Sequence, residues 1–265
     1  YRPVPARQWV QVQSLSTGVW HPPSPNCPSS PVRIAVISDI HANLEALTCC
    51  LESAEQAGVD AIYCLGDIVG YNADPSDCLE QVRGRCDGIV IGNHDAVVAG
   101  KEKIGTLPPG GQTAAREHRE QLSGGQIDFL ASLPLKLQAE GCTFVHAAPG
   151  APSDWKRLKS YPTAREQFEH FCTDVCFVGH THVPSVMADK LGVFEVRPGN
   201  RYIINVGSVG QPRDQNPKLS FGIFDTQRFS YENVRVGYNV SRATEKIRRA
   251  GNLPGRLARR LEKGV

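Results

Sequence analysis

Eight side chains able to bind metal or move protons stand where apolar runs stop. RIAVIS (33–38) runs into Asp39-Ile40-His41-Ala42-Asn43, AIYCL (61–65) into Gly66-Asp67, and GIVI (88–91) into Gly92-Asn93-His94-Asp95. Further on, CTFV (142–145) ends at His146, and VCFV (175–178) ends at Gly179-His180-Thr181-His182. Five of the eight histidines of the chain occupy such ends. Packing does not favour this, because each buried titratable group costs desolvation unless it is paired or bound to a cation. Carboxylate, imidazole and amide together suit Mn²⁺, Fe or Zn²⁺ and do not call for a soft-metal or iron–sulfur site. His180 and His182 are two apart on an extended segment, and a turn at Gly179 would let them face two different ions. Two ions about 3.5–4 Å apart, sharing one carboxylate, form the arrangement for in-line displacement at phosphorus.

The elements that must position these groups follow a regular rhythm. The interval from Asp39 to Asp67 is 28 residues and that from Asp67 to Asn93 is 26, about one strand–helix unit each. Asn43 can cap a helix over 44–57 that Gly58 ends, and Asp74-Pro75 opens another through Arg83. Strand, helix, strand, helix, strand predicts a parallel sheet whose carboxyl edge collects the polar residues. Residues 101–112 read as a Gly/Pro loop, followed by helices over 113–122 and 126–133. The second half reads as strands at 142–147, 175–180, 185–190, 193–197, 202–208, 219–225 and 228–236, with a helix near 163–171. Two mixed sheets flanked by helices, a four-layer α/β/β/α sandwich of the α/β class, accommodate this pattern.

Residues 1–31 hold seven of the nineteen prolines and no acid, and read as a disordered leader without the apolar stretch of a secretion signal. Residues 32–240 form the expected catalytic domain. Residues 241–265 carry eight bases and two acids and read as a basic helical extension, with Ile247, Leu253, Leu257 and Leu261 spaced to pack two short helices on the domain.

The whole chain of 265 residues has a net charge of +2, which argues against a nucleic-acid coat protein, and no apolar stretch approaches a membrane span. Nine cysteines without a C-x-x-C pair read as small buried hydrophobes in a reducing cytoplasm. His21, His118 and His170 lie away from strand ends and read as surface residues. Leu122-Ser123-Gly124-Gly125-Gln126 spells the LSGGQ signature of transport ATPases, but no phosphate-cradling G-x-x-x-x-G-K-[ST] loop accompanies it, so it reads as a turn and helix start.

DIHAN, GD, GNHD, a strand-end histidine and GHTH, in this order, resemble the calcineurin-like metallophosphoesterase superfamily. The surrounding GDIVGYNADPSDCLEQVR and NVGSVGQPRD are similar to its small bacterial phosphodiesterase/phosphatase branch. The resemblance implies the α/β/β/α fold and two divalent ions, manganese first, with iron, zinc or nickel as alternatives. It implies Asp39, His41 and His182 at one ion, Asn93, His146 and His180 at the other, and Asp67 between them. His94 matches the catalytic histidine that faces the phosphoryl group and assists the leaving oxygen. Two ions, two aspartates and a bridging hydroxide leave a charge of about +1 to attract a phosphate ester.

Three departures stand out. The GDxVDRG of protein phosphatases is here Gly66-Asp67-Ile68-Val69-Gly70-Tyr71-Asn72, which lacks the supporting Asp and the phosphate-gripping Arg. The branch's HGSP is His146-Ala147-Ala148-Pro149. Arg213 stands in a position to replace the missing clamp, so Asn93 and Arg213 are the expected substrate-binding residues. The expected function is hydrolysis of a small phosphoester by a metal-bridging hydroxide, a diester ahead of a monoester. The alternative is a catalytically silent scaffold for partner proteins. Neither membrane nor nucleic acid is an expected partner.

Overall fold

The first apolar run becomes strand β1 (Arg33–Ile37), and its alternation explains why the run is apolar throughout. Ile34 and Val36 point into a core shared with Phe144, Phe177 and Phe224, whereas Ala35 and Ile37 point into a second core with Leu47, Leu51 and Leu79. A strand buried on both faces has no polar side to display. The computed structural model describes residues 32–193 and 195–265; the expected leader, 1–31, lies outside the described residues.

Helix α1 (Leu44–Gln56) follows, capped by Asn43, whose side chain accepts from Ala46 N at 3.2 Å, and Gly58 leaves it at φ +66°. Then come β2 (Ala61–Cys64), α2 (Pro75–Arg85) with Pro75 in its first turn, β3 (Gly88–Ile89) and α3 (Asn93–Val98). α4 (Pro109–Gln121) and α5 (Gly124–Ser132) precede β4 (Lys136–Ala139) and β5 (Cys142–Val145). After α6 (Tyr161–Arg165) come β6 (Val175–Val178), β7 (Ser185–Ala188), β8 (Tyr202–Asn205), β9 (Leu219–Asp225) and β10 (Ser230–Val236). The chain closes with α7 (Val240–Arg249) and α8 (Gly255–Lys263).

Two mixed five-stranded sheets result, ordered β10-β9-β1-β2-β3 and β4-β5-β6-β8-β7. β1, β2 and β3 are parallel, as are β5, β6 and β8, while β9, β10, β4 and β7 run antiparallel to their neighbours. The sheets meet through stacked aromatic rings, with Tyr63 4.3 Å from Phe144. α1, α2, α3 and α5 cover the outer face of the first sheet. The outer face of the second carries α6 and a 3₁₀ turn, packing Ala164, Phe168 and Phe171 on Val178 and Ile203. This is the four-layer α/β/β/α architecture.

Several elements differ from expectation. The Gly/Pro stretch 109–112 is already helical, because Pro109 needs no N–H in a first turn. Residues 163–171 are not one helix: α6 ends at Arg165 and a 3₁₀ turn follows. The strand expected at 193–197 does not form among its described residues. There the Tyr202 hydroxyl donates toward Glu195 O and Arg197 O and accepts from Arg197 N, so a side chain takes the place of a strand partner. β4 and α3 were not anticipated. The LSGGQ segment is indeed a turn and helix start: Ser123 and Gln126 cap α5 reciprocally.

α7 and α8 lie over the loop that follows β2. Ile247, Leu253, Leu257 and Leu261 share a core with Tyr71 and Ala114, each apolar side chain contributing about 1.5–3 kcal/mol when fully buried. Lys246 ties α7 to Glu45 at 2.7 Å and to Asp74 at 2.8 Å. The eight described cysteines are free thiols, six of them buried. No helix among the described residues is long and apolar enough to cross a membrane.

Candidate metal centre

The strand ends bring the sequence-identified groups together. Asp39, His41 and His182 form one triad, Asp67, His146 and His180 a second, and His41, Asp67 and His94 a third, the ligand atoms of each within 4.8 Å of one another. The backbone bends sharply to achieve this. Asp39, His41, Asp67, His180 and His182 all adopt left-handed conformations, with φ between 51° and 66°. Such strain persists only where surrounding bonds over-determine it. Here Asp39 N donates to Gly66 O at 3.0 Å, His41 N to Asp67 O at 2.8 Å and Gly179 N to His146 O at 3.0 Å. Gly92 is required for a different reason: a Cβ there would lie 2.2 Å from Asp67 Oδ1. Ala147, which stands where the branch's HGSP has glycine, is buried without a left-handed φ, so the alanine costs no strain.

Proton positions follow from the backbone. His41 Nδ1 donates to Val69 O at 3.1 Å, His182 Nδ1 to Gln211 O at 2.6 Å, His146 Nδ1 to Leu65 O at 2.8 Å and His180 Nε2 to Trp155 O at 2.9 Å. The opposite nitrogen of each neutral ring is therefore a bare lone pair. These lone pairs face one another: His41 Nε2 is 3.2 Å from His182 Nε2, and His146 Nε2 is 3.1 Å from His180 Nδ1. Two acceptors at that distance do not bond to each other; they ask for a cation between them, a metal ion or, at His146, a proton. Carboxylates stand beside both pairs. Asp39 Oδ1, buried and without a partner, is 3.1 Å from His182 Nε2. Asp67 Oδ2 is 3.6 Å from His41 Nε2 and 3.4 Å from His146 Nε2, so one oxygen reaches both clusters. Asn93 Oδ1 is also buried without a partner. The residues present fit two divalent ions with nitrogen and oxygen ligands.

The electrostatics agree with that fit. Burial lowers His41, His180 and His182, which keeps them neutral. Burial opposes a proton on His146 as well, but the charges of Asp67 and Asp39 outweigh it and push the imidazole up to about 9. Burial acts to raise Asp39 and Asp67, yet the neighbouring histidines hold both well below the usual carboxylate range. Asp95 behaves differently: burial and the charge of Asp67 push it up to about 7, and it accepts from Val69 N and Gly92 N, pinning the two loops that carry Asp67 and Asn93.

His94 is the exception among the five imidazoles. No backbone carbonyl among the described residues holds it, and its Nδ1 is buried without a partner, against Gly70. Its backbone N donates to Asp67 Oδ1 at 2.8 Å, and its ring packs 4.5 Å from Tyr71 and 4.8 Å from His41. Burial lowers it to about 4, with the charge of Arg213 adding to the effect. Arg213 lies outside the metal clusters. Its guanidinium stands 5.6 Å from the Tyr71 ring and donates to Gln211 Oε1.

His118 is not the surface residue expected. It is fully buried, accepts from Gly70 N at 2.9 Å through Nδ1 and donates to Asn72 O at 2.8 Å through Nε2. It thereby fixes the loop that carries Tyr71, and Asn72 in turn donates to His41 O. Alternation of Ala114, Ala115 and His118 at helical spacing was the available signal, masked by Arg116, Glu117, Arg119 and Glu120. His170 is exposed, as expected, and His21 lies outside the described residues. Other supports left little trace in the sequence. Asn205 Nδ2 donates to Gly179 O at 2.6 Å, and Ser208 Oγ donates to Asp39 O at 2.8 Å. The carbonyls of Leu65, Val69, Trp155 and Gln211 act through the backbone, which no side-chain pattern reveals.

Residues 32–228 match the calcineurin-like phosphoesterase superfamily domain. An uncharacterized protein of Methanocaldococcus jannaschii is 40% identical over 238 residues, covering 86% of this chain and 96% of that protein. A symmetrical bis(5′-nucleosyl)-tetraphosphatase of Histophilus somni is 27% identical over 223 residues, covering 80% of this chain and 72% of its own length. Among solved structures, a metallophosphoesterase from Sphaerobacter thermophilus superposes with a TM-score of 0.78 at 36% identity, covering 89% of this chain and 100% of that one.

Proposed function

The chain belongs to the calcineurin-like phosphoesterase superfamily, and from that premise we propose that it is a metal-dependent hydrolase that cleaves a phosphoester at a dinuclear centre. The observation that carries this reading is the convergence of four carbonyl-anchored imidazoles, each turning its other ring nitrogen inward, with Asp39 Oδ1 and Asp67 Oδ2. Asp39, His41 and His182 would hold one ion, Asn93, His146 and His180 the other, and Asp67 both. Manganese suits this mixed nitrogen and oxygen set, with iron, zinc or nickel as alternatives. Such ions supply Lewis acidity and a water activated near neutral pH.

The chain's own groups do the remaining work. The carbonyls of Val69, Gln211, Leu65 and Trp155 hold four rings in one tautomer and one orientation. His94, held by none, is neutral before substrate binds because burial lowers it to about 4; the negative charge of a bound phosphoryl group favours its protonated form, from which it delivers a proton to the leaving oxygen. Asn93 and Arg213 orient the phosphoryl oxygens. The missing Arg of GDxVDRG, replaced by Gly70-Tyr71-Asn72, supports a scissile phosphorus bearing two ester or anhydride links, whose single charge the ions alone can balance. The tetraphosphatase of H. somni, 27% identical to this chain, is named for a substrate with such phosphorus atoms.

Metal analysis combined with hydrolysis of bis-p-nitrophenyl phosphate and p-nitrophenyl phosphate tests the proposal. The expected result is about two ions per chain, loss of turnover after EDTA treatment, recovery with Mn²⁺, and faster diester than monoester cleavage in kcat/KM. Undiminished turnover by metal-stripped protein overturns the dinuclear reading, and a protein that binds no metal and hydrolyses neither ester is the silent scaffold.

A further inference from the structure

A basic cleft opens beside the centre. It has a volume of about 760 Å³, and its charged lining consists of Arg157, Lys159, Arg213 and Arg260, with no acidic residue. Tyr71 borders both the centre and the cleft. One side of its ring packs on His41 and His94, with centroids 4.6 and 4.5 Å away, and Arg213 and Arg260 stand 5.6 and 5.9 Å from the same ring. Thr181, between the metal-facing His180 and His182, lines the cleft as well.

The charges of this cleft are unusual for the molecule. On the neighbouring helix α7 every base is paired: Arg242 and Lys246 with Glu45, Lys246 also with Asp74, Arg248 with Glu262 and Arg249 with Glu245. Arg157, Lys159, Arg213 and Arg260 have no carboxylate side chain as partner among the described residues. Arg213 Nε is buried and unbonded, its Nη2 reaching only the neutral Gln211. Arg260 donates to Val265 O, and burial together with the charge of Arg213 lowers its pKa. Two guanidiniums against one ring repel each other unless an anion lies between them. Guanidinium forks match phosphate oxygens in shape as well as charge.

We propose that this cleft is a second phosphate subsite, so that the substrate is a polyphosphate ester whose scissile phosphorus lies at the metal centre and whose next phosphates lie between Arg213 and Arg260. The inference rests on the proposed hydrolase activity and adds to it the class of substrate. In the reaction, water forms the new P–O bond, the anhydride P–O bond breaks, and the leaving phosphate departs on the cleft side with the proton from His94. No other reactant is needed. Helix α8 thereby contributes directly to specificity through Arg260, which lies beyond the segment that matches the superfamily domain.

The test compares diadenosine tetraphosphate with bis-p-nitrophenyl phosphate, which has a single phosphorus. Arg260→Gln and Arg157→Gln should each lower the ratio of the two kcat/KM values at least about tenfold, chiefly through KM on the tetraphosphate. Arg249→Gln, on the outer face of α7, should leave the ratio unchanged. With the wild type, tripolyphosphate should inhibit bis-p-nitrophenyl phosphate cleavage at least about tenfold more tightly than inorganic phosphate, whether or not a nucleoside is attached. Equal losses on both substrates, an unchanged ratio, or equal inhibition by the two anions overturns the subsite. Failure of the wild type to cleave bis-p-nitrophenyl phosphate with any metal breaks the hydrolase reading instead, which keeps the two outcomes apart.

Discussion

The two halves of the centre share imidazole chemistry but differ in charge. The half around Asp39, His41 and His182 owns a carboxylate whose second oxygen is already satisfied by Ser38 Oγ at 2.8 Å and His180 N at 2.9 Å. The half around His146 and His180 has only its share of Asp67 and the neutral amide of Asn93. The proton distribution reflects the difference. Burial keeps His41 and His182 neutral, whereas His146 is pushed up to about 9 because, without metal, a proton is the cation nearest Asp67. Similar ligand lists therefore describe unequal positions. The first half is ready for a cation, and the second must give up a proton to receive one.

The largest effect should come from removing what the halves share. Asp67→Ala deletes the oxygen that reaches both clusters, whereas Asp39→Ala strips one. Elemental analysis should find close to no metal in the first variant and about one ion in the second. Turnover of Asp67→Ala should fall beyond the roughly 10⁴-fold that loss of a proton donor can cause. An Asp67→Ala protein that keeps one ion at full affinity would falsify the shared role.

His94 touches His41 of the first half and the shared Asp67 without the carbonyl anchor that the other rings have. His94→Ala should keep both ions and lose about 10²–10⁴-fold in rate on esters with alkyl leaving groups. Esters of p-nitrophenol should lose less, since that anion departs without a proton. Loss of metal in this variant would make His94 a ligand and place it within one half.

How much of this was legible in the sequence depended on what carries each contact. The strand-end groups were readable because Asp39, Asp67 and Asn93 recur at one strand–helix unit and a parallel sheet gathers such positions on one edge. The apolar run at 33–37 also revealed its strand, being buried on both faces. β4 was not readable, since Lys-Leu-Gln-Ala at a sheet edge is half-buried and shows no apolar run. The start of α4 was hidden by its composition. Gly111 reads as loop, yet a Cβ there would sit 2.9 Å from His94 Cε1, so the glycine serves the approach of two elements. His118 was hidden by the charged residues on either side of it, and Arg260 by sitting on a helix whose exposed face is basic.

Acid should separate the two halves. Below about pH 9 an ion entering the second half must displace the His146 proton, so its affinity should fall toward tenfold per pH unit, roughly 50-fold from pH 9 to pH 7. The first half, its imidazoles already neutral, should change little across that range. Calorimetric titration in buffers of different ionisation enthalpy should show about one proton released for one of the two ions. Equal pH slopes for both ions would remove the asymmetry on which the comparison stands.

The smallest expected effect concerns the loop that supports the first half alone. His118 holds Gly70 and Asn72, and Asn72 holds the carbonyl of His41; the second half is braced from Leu65 and Trp155 instead. Burial lowers His118 to about 4, against an unfolded value near 6.5. A histidine depressed in the folded state leaves stability intact above the unfolded pKa and removes it as pH falls toward the folded one, because only the unfolded chain takes the proton. At pH 5 that loss amounts to about 2 kcal/mol. His118→Asn keeps an acceptor for Gly70 N and removes the titration. Urea unfolding of metal-free protein at pH 7.5 and pH 5 should therefore show a gap between the two pH values that is about 2 kcal/mol smaller in the variant than in the wild type. The variant should also bind the first ion more weakly while the second ion's affinity stays the same. An identical gap would mean that His118 takes its proton in the folded protein too. Equal weakening of both ions would mean that the loop braces the whole centre, and the division between the halves would then lie in charge alone.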